Sequence, residues 1–135
     1  MERRFNVWVY IERDPDDGQV WQAHCLDFDI VSWGSSPSHA REMIHEAVEM
    51  CLLDDLNQGL DPKGRPKASD EDWGRLNELI RVGRPVDISS ADVAEREQVS
   101  RFVVMLSFSF VPAVAASDTQ VSAVPLGDLI YLTAA

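Results

Sequence analysis

The sequence predicts an α+β fold in which a small antiparallel β-meander carries one long helix on one face. Two observations support this class. Apolar and polar residues alternate with a period of two over residues 5–11, which is typical of a half-buried strand. Further along, apolar residues recur at helical spacing from residue 40 to residue 56. At 135 residues the chain is long enough for one domain with its own core.

The first strand has an apolar face and a second face that mixes polar and aromatic residues. Alternation separates Phe5, Val7, Val9 and Ile11 from Asn6, Trp8 and Tyr10. The turn sequence Asp14–Gly18 then predicts a hairpin, because Gly18 can adopt a positive φ. Residues 19–26 are predicted as the return strand and residues 28–33 as a short third strand, which completes the meander.

The long helix has clear start and stop signals. Ser36 is a favourable N-cap, Pro37 suits the first helical position, and Gly59 is a plausible C-terminal stop. The apolar stripe comprises Ala40, Met43, Ile44, Ala47, Val48, Cys51, Leu52 and Leu56. We expect this stripe to be buried against the sheet and the polar side chains outside it, Arg41, Glu42, His45, Glu46 and Glu49, to face water.

The remaining chain is predicted to extend this 1–60 module. Residues 61–68, rich in Pro and basic residues, are predicted as a linker to an extension over 69–135 that packs on the same domain. Ser69, followed by three acidic residues, predicts a second helix over 69–82. Residues 90–100 are compatible with one or two helical turns, and strands are expected at 101–111 and 120–132, the latter broken at 125–128.

Composition narrows the classes of partner. Twelve Lys+Arg against 23 Asp+Glu give a formal net charge of -11, which disfavours DNA, RNA and anionic membranes and favours a basic protein partner. The two cysteines, Cys25 and Cys51, are too few for a disulfide framework or a zinc cluster. The apolar stretch near the N-terminus is too short for a signal peptide, so we expect a cytoplasmic protein. No cofactor is predicted.

Three short stretches of the N-terminal module carry a family resemblance. They are Asp17-Gly18 before Val20-Trp21, the segment Cys25-Leu26-Asp27-Phe28, and the junction Ser32-x-Gly34-x-Ser36-x-x-x-Ala40 followed by Glu46-Ala47. Together they resemble the HicB-like antitoxin family over roughly residues 5–57. The resemblance implies a partial ribonuclease-H-like fold without catalytic acids, and a small basic HicA-type ribonuclease toxin as partner.

The chain also departs from that family's pattern. Leu26 replaces the proline that follows the cysteine, Asp29-Ile30 replaces a Pro-Gly pair, and Trp33 is bulky where the family is more often polar. Residues 58–135 contain no recognisable ribbon-helix-helix or helix-turn-helix segment. The operator-binding role of such antitoxins therefore does not carry over.

Neither a catalytic nor a metal site is predicted. A ribonuclease-H-like enzyme needs several converging carboxylates, and the sequence places no third acid beside Asp27 and Asp29, which are explained as solvated turn residues. His39 and His45 are six positions apart, about 600° around a helix at roughly 100° per residue, so they do not share a face. His24 lies on a strand away from both.

The candidate partner-binding surface is the second face of the hairpin, which carries Trp8, Tyr10, Gln22 and His24. Trp8→Ala or Tyr10→Ala is expected to weaken partner capture without unfolding the protein. Alternatively, the C-terminal segment folds over this face and buries it. The long helix also carries an acidic flank, formed by Glu42, Glu46 and Glu49. This flank is either a plain solvated face or a surface that attracts the basic partner electrostatically. Free edge strands favour a homodimer.

The function predicted from these features is non-enzymatic: an antitoxin-like protein that binds and neutralises a HicA-type ribonuclease. Two alternatives stay open. One is a stand-alone HicB-like regulatory or scaffolding domain without a toxin. The other is a metal-dependent nuclease-like enzyme, for which loss of RNA cleavage on changing Asp27 or Asp29 to Asn would be the evidence. Operator binding is a weaker possibility, which a gel shift would test.

Overall fold

The elements of the structure follow the α+β prediction. A computed structural model describes residues 3–86, 100–112, 121–125 and 129–132. The strands are β1 (Arg3–Arg13), β2 (Trp21–Cys25), β3 (Ile30–Gly34), β4 (Arg84–Val86), β5 (Arg101–Pro112), β6 (Val121–Pro125) and β7 (Leu129–Leu132). The helices are α1 (Pro37–Asn57), α2 (Asp70–Val82) and a short 3-10 helix (Pro62–Gly64). The helical turns expected over residues 90–100 lie outside the described residues, apart from Ser100.

Within these described residues, the strands form one antiparallel sheet in the order β3-β2-β1-β5-β7-β4, with β6 paired to β5. Strand β5 pairs with β1 over ten residues, from Arg3 opposite Phe110 to Glu12 opposite Arg101. The expected C-terminal β extension therefore begins in the middle of the sheet. The alternation of apolar and polar residues in this segment predicted which side chains share a face, but it does not specify which strand lies next to it in the sheet.

The main core lies between α1 and the first face of the sheet. It buries the apolar face of β1, alternate residues of β2 and β5, one side of α1, and one residue of the turn between β2 and β3. These residues are Phe5, Val7, Val9, Ile11, Trp21, Ala23, Cys25, Phe28, Ala40, Ile44, Val48, Leu52, Phe102, Val104, Leu106, Phe108 and Phe110. The N-cap prediction is confirmed, because the Ser36 side chain accepts a hydrogen bond from the backbone N–H of His39. The helix ends at Asn57, and Gly59 follows with φ 76°.

Two polar residues of α1 differ from the expected pattern. Asp55 is 7% exposed, because its carboxylate accepts hydrogen bonds from Nε and Nη2 of Arg65 at 2.6 and 3.0 Å. His45, which was expected to face water, is only partly exposed. Its ring is half-buried and lies 4.8 Å, centroid to centroid, from the ring of Phe108 on β5.

Helix α2 lies on the second face of the sheet. Leu76 and Leu79 are buried there in a second cluster with Tyr10, Leu26, Ala68 and Val103, and Trp8, Trp73 and Ile80 pack against it. The backbone N–H of Ala68 donates to the carbonyl of Leu26 at 2.9 Å, so the segment predicted as a linker contacts the β2–β3 turn. The expectation of an open second face is therefore wrong at Tyr10, which is 5% exposed.

The helices of the described segments do not reach the length and apolar character that a membrane span requires.

Candidate functional site

A cleft of about 260 Å³ opens on the second face of the sheet, between α2 and the first three strands. Its lining combines strand residues with two residues of α2: Tyr10, Glu12, Gln22, His24, Leu26, Val31, Asp72 and Arg75. Three of the four residues predicted to bind a partner thus share this cleft, while Trp8 packs beside it in the second cluster. At this volume the cleft is below the roughly 300–1,000 Å³ of typical cofactor or drug-sized sites and suits a side chain.

The register of the strands explains why these residues meet. Tyr10 lies opposite His24, and Glu12 opposite Gln22, across β1 and β2. His24 in turn lies opposite Val31, and Gln22 opposite Trp33, across β2 and β3. Because directly opposed residues of paired strands point to the same face, all these side chains project toward α2 or toward solvent beside it.

Arg75 crosses the cleft from α2 to β1. Its Nη2 donates to Oε2 of Glu12 at 2.7 Å, and its guanidinium carbon lies 4.9 Å from the ring centroid of Tyr10. Partial burial lowers the pKa of Arg75, but the hydrogen bond and charge of Glu12, with a smaller effect of Tyr10, outweigh it and leave that pKa raised. The guanidinium is therefore held as a cation between a carboxylate and an aromatic ring.

Asp72 is held at the rim of the cleft by the start of α2. Its backbone N–H donates to the side-chain oxygen of Ser69 at 3.2 Å, and the Ser69 hydroxyl donates to Oδ2 of Asp72 at 3.0 Å. This reciprocal cap fixes the first turn of the helix. The cap was recognisable in the sequence, but the position of Asp72 above the strands was not.

The two turn carboxylates considered for catalysis have separate structural partners. Oδ2 of Asp27 accepts the backbone N–H of Trp8 at 2.6 Å, and desolvation by burial raises the pKa of this carboxyl group. Asp29 adopts the left-handed φ of 53° and lies 2.7 Å, through Oδ1, from Nε2 of His24. Across the part of the chain that the structure describes, no three His, Cys, Asp or Glu side chains come together as a metal site.

The acidic flank lies on the other side of the sheet from the cleft. Glu42 and Glu46 are exposed on α1, and Oε2 of Glu49 lies 3.7 Å from Nδ1 of His45. Helix α1 packs on the first face, whereas the cleft opens on the second. The structure therefore does not bring the two predicted surfaces together.

Trp33 is the exposed aromatic residue nearest to the cleft in the strand register. It lies on β3, the last strand on this side of the described sheet, and is 54% exposed. Its bulk departs from the HicB-like pattern, and the predicted partner-binding surface did not include it. Alternation along β3 groups Trp33 with Val31, but only the β2–β3 register places both on the same face as Gln22.

The chain matches no protein-family model, no curated protein and no solved structure. Its function is therefore inferred from the cleft and from the exposed surface beside it.

Proposed function

We propose that this protein is a non-enzymatic binding module that captures and neutralises a small basic ribonuclease of the HicA type. The observation that carries the proposal is the part of the second sheet face that α2 leaves uncovered. There Trp33, 54% exposed, lies opposite Gln22 on the neighbouring strand, and Gln22 and the half-buried His24 line the cleft. The finer assignment of residues 1–60 as a partial ribonuclease-H-like, HicB-like module is part of the same proposal and rests on the motifs at residues 17–47.

An exposed aromatic residue beside polar groups suits a protein partner. Burial of a tryptophan side chain at a contact contributes strongly to binding, and Trp is enriched among the residues that dominate interface energies. Gln22 and His24 add hydrogen-bonding groups next to it. Tyr10, by contrast, contributes to the proposed site as part of its floor, because α2 covers most of its surface.

Charge favours a basic partner for this surface. The chain carries a formal net charge of -11, and Glu12 and Asp72 are among the residues that line the cleft. Opposite net charges accelerate the encounter of two proteins, and like charges disfavour the binding of acidic competitors. The exposed acids of α1 add to the long-range field without touching the cleft.

Co-purification from cells that express the native gene, followed by mass spectrometry, tests the proposal. We expect a small basic protein whose RNA cleavage stops when an equimolar amount of this chain is added. Trp33→Gln should lower the affinity for the captured protein at least tenfold, as for an interface hot spot. Met50→Gln is the matched control, since Met50 is 70% exposed on the opposite side of the sheet. A captured protein without ribonuclease activity, or equal losses in both variants, would contradict the proposal.

A stand-alone HicB-like domain with a regulatory or scaffolding role remains the alternative. A gene for a short basic protein beside this one favours the antitoxin, and its absence favours the stand-alone domain.

The proposal also includes a homodimer, because β3 lies at the end of the described sheet order and edge strands can pair with another copy. Sedimentation of the purified chain measures this directly.

A further inference from the structure

The contacts of Arg75 are those that proteins use to bind a guanidinium group. Glu12 accepts a hydrogen bond from Nη2 at 2.7 Å, and the face of Tyr10 lies 4.9 Å from the guanidinium carbon. A carboxylate beside an aromatic face selects the planar, delocalised cation of arginine over the compact ammonium group of lysine. Helix α2 thus places one of this chain's own arginines in a site that is complementary to arginine.

Arg75 is held more loosely than the groups that receive it. Its side chain is 45% exposed, whereas that of Glu12 is 23% exposed and Tyr10 as a residue is 5% exposed. Glu12 and Tyr10 are fixed by the β1 backbone, which is paired on both sides with β2 and β5. An ion pair that is this exposed contributes little net stability, so Arg75 can leave at small cost while the receiving groups stay in place.

The charges around the site favour a cation from outside when Arg75 moves away. Glu12 and Asp72 line the cleft as carboxylates, and His24 is paired with Asp29. Arg101 is a further cation near the aromatic wall: its Nη1 lies 3.4 Å from the Tyr10 hydroxyl, and it lies opposite Glu12 across β1 and β5. An incoming guanidinium would therefore meet two carboxylates, one of which loses its present partner.

We propose that the cleft is a receptor for the guanidinium group of an arginine side chain on the basic partner, and that Arg75 occupies this receptor in the free protein. On binding, the arginine of the partner replaces Arg75 against Tyr10 and Glu12, and Trp33 covers the neighbouring surface. The inference rests on the proposed function for the source of the arginine. The receptor itself rests on the geometry of Glu12, Tyr10 and Arg75.

The test is an NMR titration of the full chain with acetyl-arginine-amide and, separately, acetyl-lysine-amide. We expect the arginine probe to shift the backbone amides of Tyr10 and Glu12 and the lysine probe to bind more weakly. Arg75→Gln should raise the affinity for the arginine probe by up to about fivefold, the effect expected when an exposed internal competitor is removed. Glu12→Gln in the Arg75→Gln background should lower it at least tenfold.

Arg81→Gln is the matched control, because Arg81 also forms an ion pair on α2, with Glu78, but away from the cleft. This variant should leave the affinity for the arginine probe unchanged. A loss of affinity in Arg75→Gln, equal binding of the two probes, or binding of acetyl-aspartate-amide through Arg75 would overturn the inference. The last result would assign the cleft to an acidic ligand.

Partner capture separates this inference from the proposed function. If the probe binds as expected but no basic ribonuclease is captured, the receptor stands and the proposed function fails. If the ribonuclease is captured equally by the wild-type chain and by Glu12→Gln, the proposed function stands and the receptor is wrong.

Discussion

Gly34 lies against the backbone of Ala40 at the junction between β3 and α1. A Cβ atom added at residue 34 would lie 2.6 Å from the Cα atom of Ala40 and 2.7 Å from the carbonyl carbon of His39. Both neighbours are backbone atoms of the first helical turn, so neither can move away as a flexible side chain would. The glycine therefore allows the long helix to begin directly beside the strand that precedes it.

Gly34→Ala is expected to destabilise the protein, because the added methyl group forces the start of α1 away from β3. Overpacking of this kind costs about 1–3 kcal/mol in the free energy of unfolding. Urea denaturation measures it. Gly74→Ala is the control, since no atom lies within 4 Å of its added Cβ on α2. That change should stabilise the protein by about 0.4–1 kcal/mol. Similar stabilities for the two variants would contradict the role assigned to Gly34.

The Asp55–Arg65 pair should contribute more to stability than any exposed pair. Asp55→Ala leaves the half-buried guanidinium of Arg65 without two hydrogen bonds to a charged acceptor, for which we expect a loss of about 2–3 kcal/mol in the free energy of unfolding. A double-mutant cycle with Arg65→Ala isolates the coupling. The same cycle on the exposed Glu78–Arg81 pair should give a clearly smaller coupling, because water and salt screen the two charges. Equal coupling in the two cycles would contradict this ranking.

Asp27→Asn should change how stability depends on pH. Burial raises the pKa of Asp27 above its ordinary 3.8, although the backbone N–H of Trp8 and the charge of Lys67 act in the opposite direction. A raised pKa means that the folded state favours the protonated carboxyl. Its contribution to stability is present below about pH 4 and is lost as the pH rises through the folded-state value.

Asparagine does not titrate and still offers an oxygen to the Trp8 N–H. The free energy of unfolding of Asp27→Asn, relative to the wild type, should therefore increase as the pH rises above about 4 and then level off. Urea denaturation between about pH 4 and pH 7 measures this difference. Parallel pH profiles for the two proteins would show that Asp27 has no raised pKa in the folded state.

Tyr10→Ala should unfold the protein or come close to it, contrary to the expectation drawn from the sequence. Tyr10 is 5% exposed and packs with Leu26 and Val103 beneath α2, and truncation of a buried aromatic residue costs about 3–5 kcal/mol. Thermal denaturation is the measurement. Trp33→Gln should melt within a few degrees of the wild type, because its side chain lies largely in water. A native-like melting temperature for Tyr10→Ala would show that α2 does not cover this face.

The parts of the fold that the sequence predicted depend on local signals. The N-cap Ser36, the stripe from Ala40 to Leu56 and the alternation along β1 each act within one element, and each coincides with the observed element to within a few residues. The residues of the mixed β1–β2 face were also grouped correctly, because strand alternation places Tyr10, Gln22 and His24 on one side. Such features can be predicted from the repeat of side-chain directions alone, which is 3.6 residues in a helix and two in a strand.

The parts that were missed depend on contacts between distant segments. Nothing local to Asp55 indicates that Arg65 will cover it. The docking of α2 on the second face, which buries Tyr10 and brings Arg75 to Glu12, joins residues 63 positions apart. The apolar residues of α2 required a partner surface, but the pattern did not distinguish the sheet of this chain from that of another copy. The sequence therefore predicted the strand residues of this surface but not the cleft that α2 forms over them.

The pairing of β1 with β5 has a consequence for how the protein forms during synthesis. The ribosome releases β1 long before β5 (Arg101–Pro112), so one backbone edge of β1 has no strand partner until most of the chain has been synthesised. Pairing between such distant segments slows folding, and exposed strand edges promote aggregation in the meantime. We therefore expect the nascent chain to engage chaperones and to complete its sheet only after most of its length has been translated.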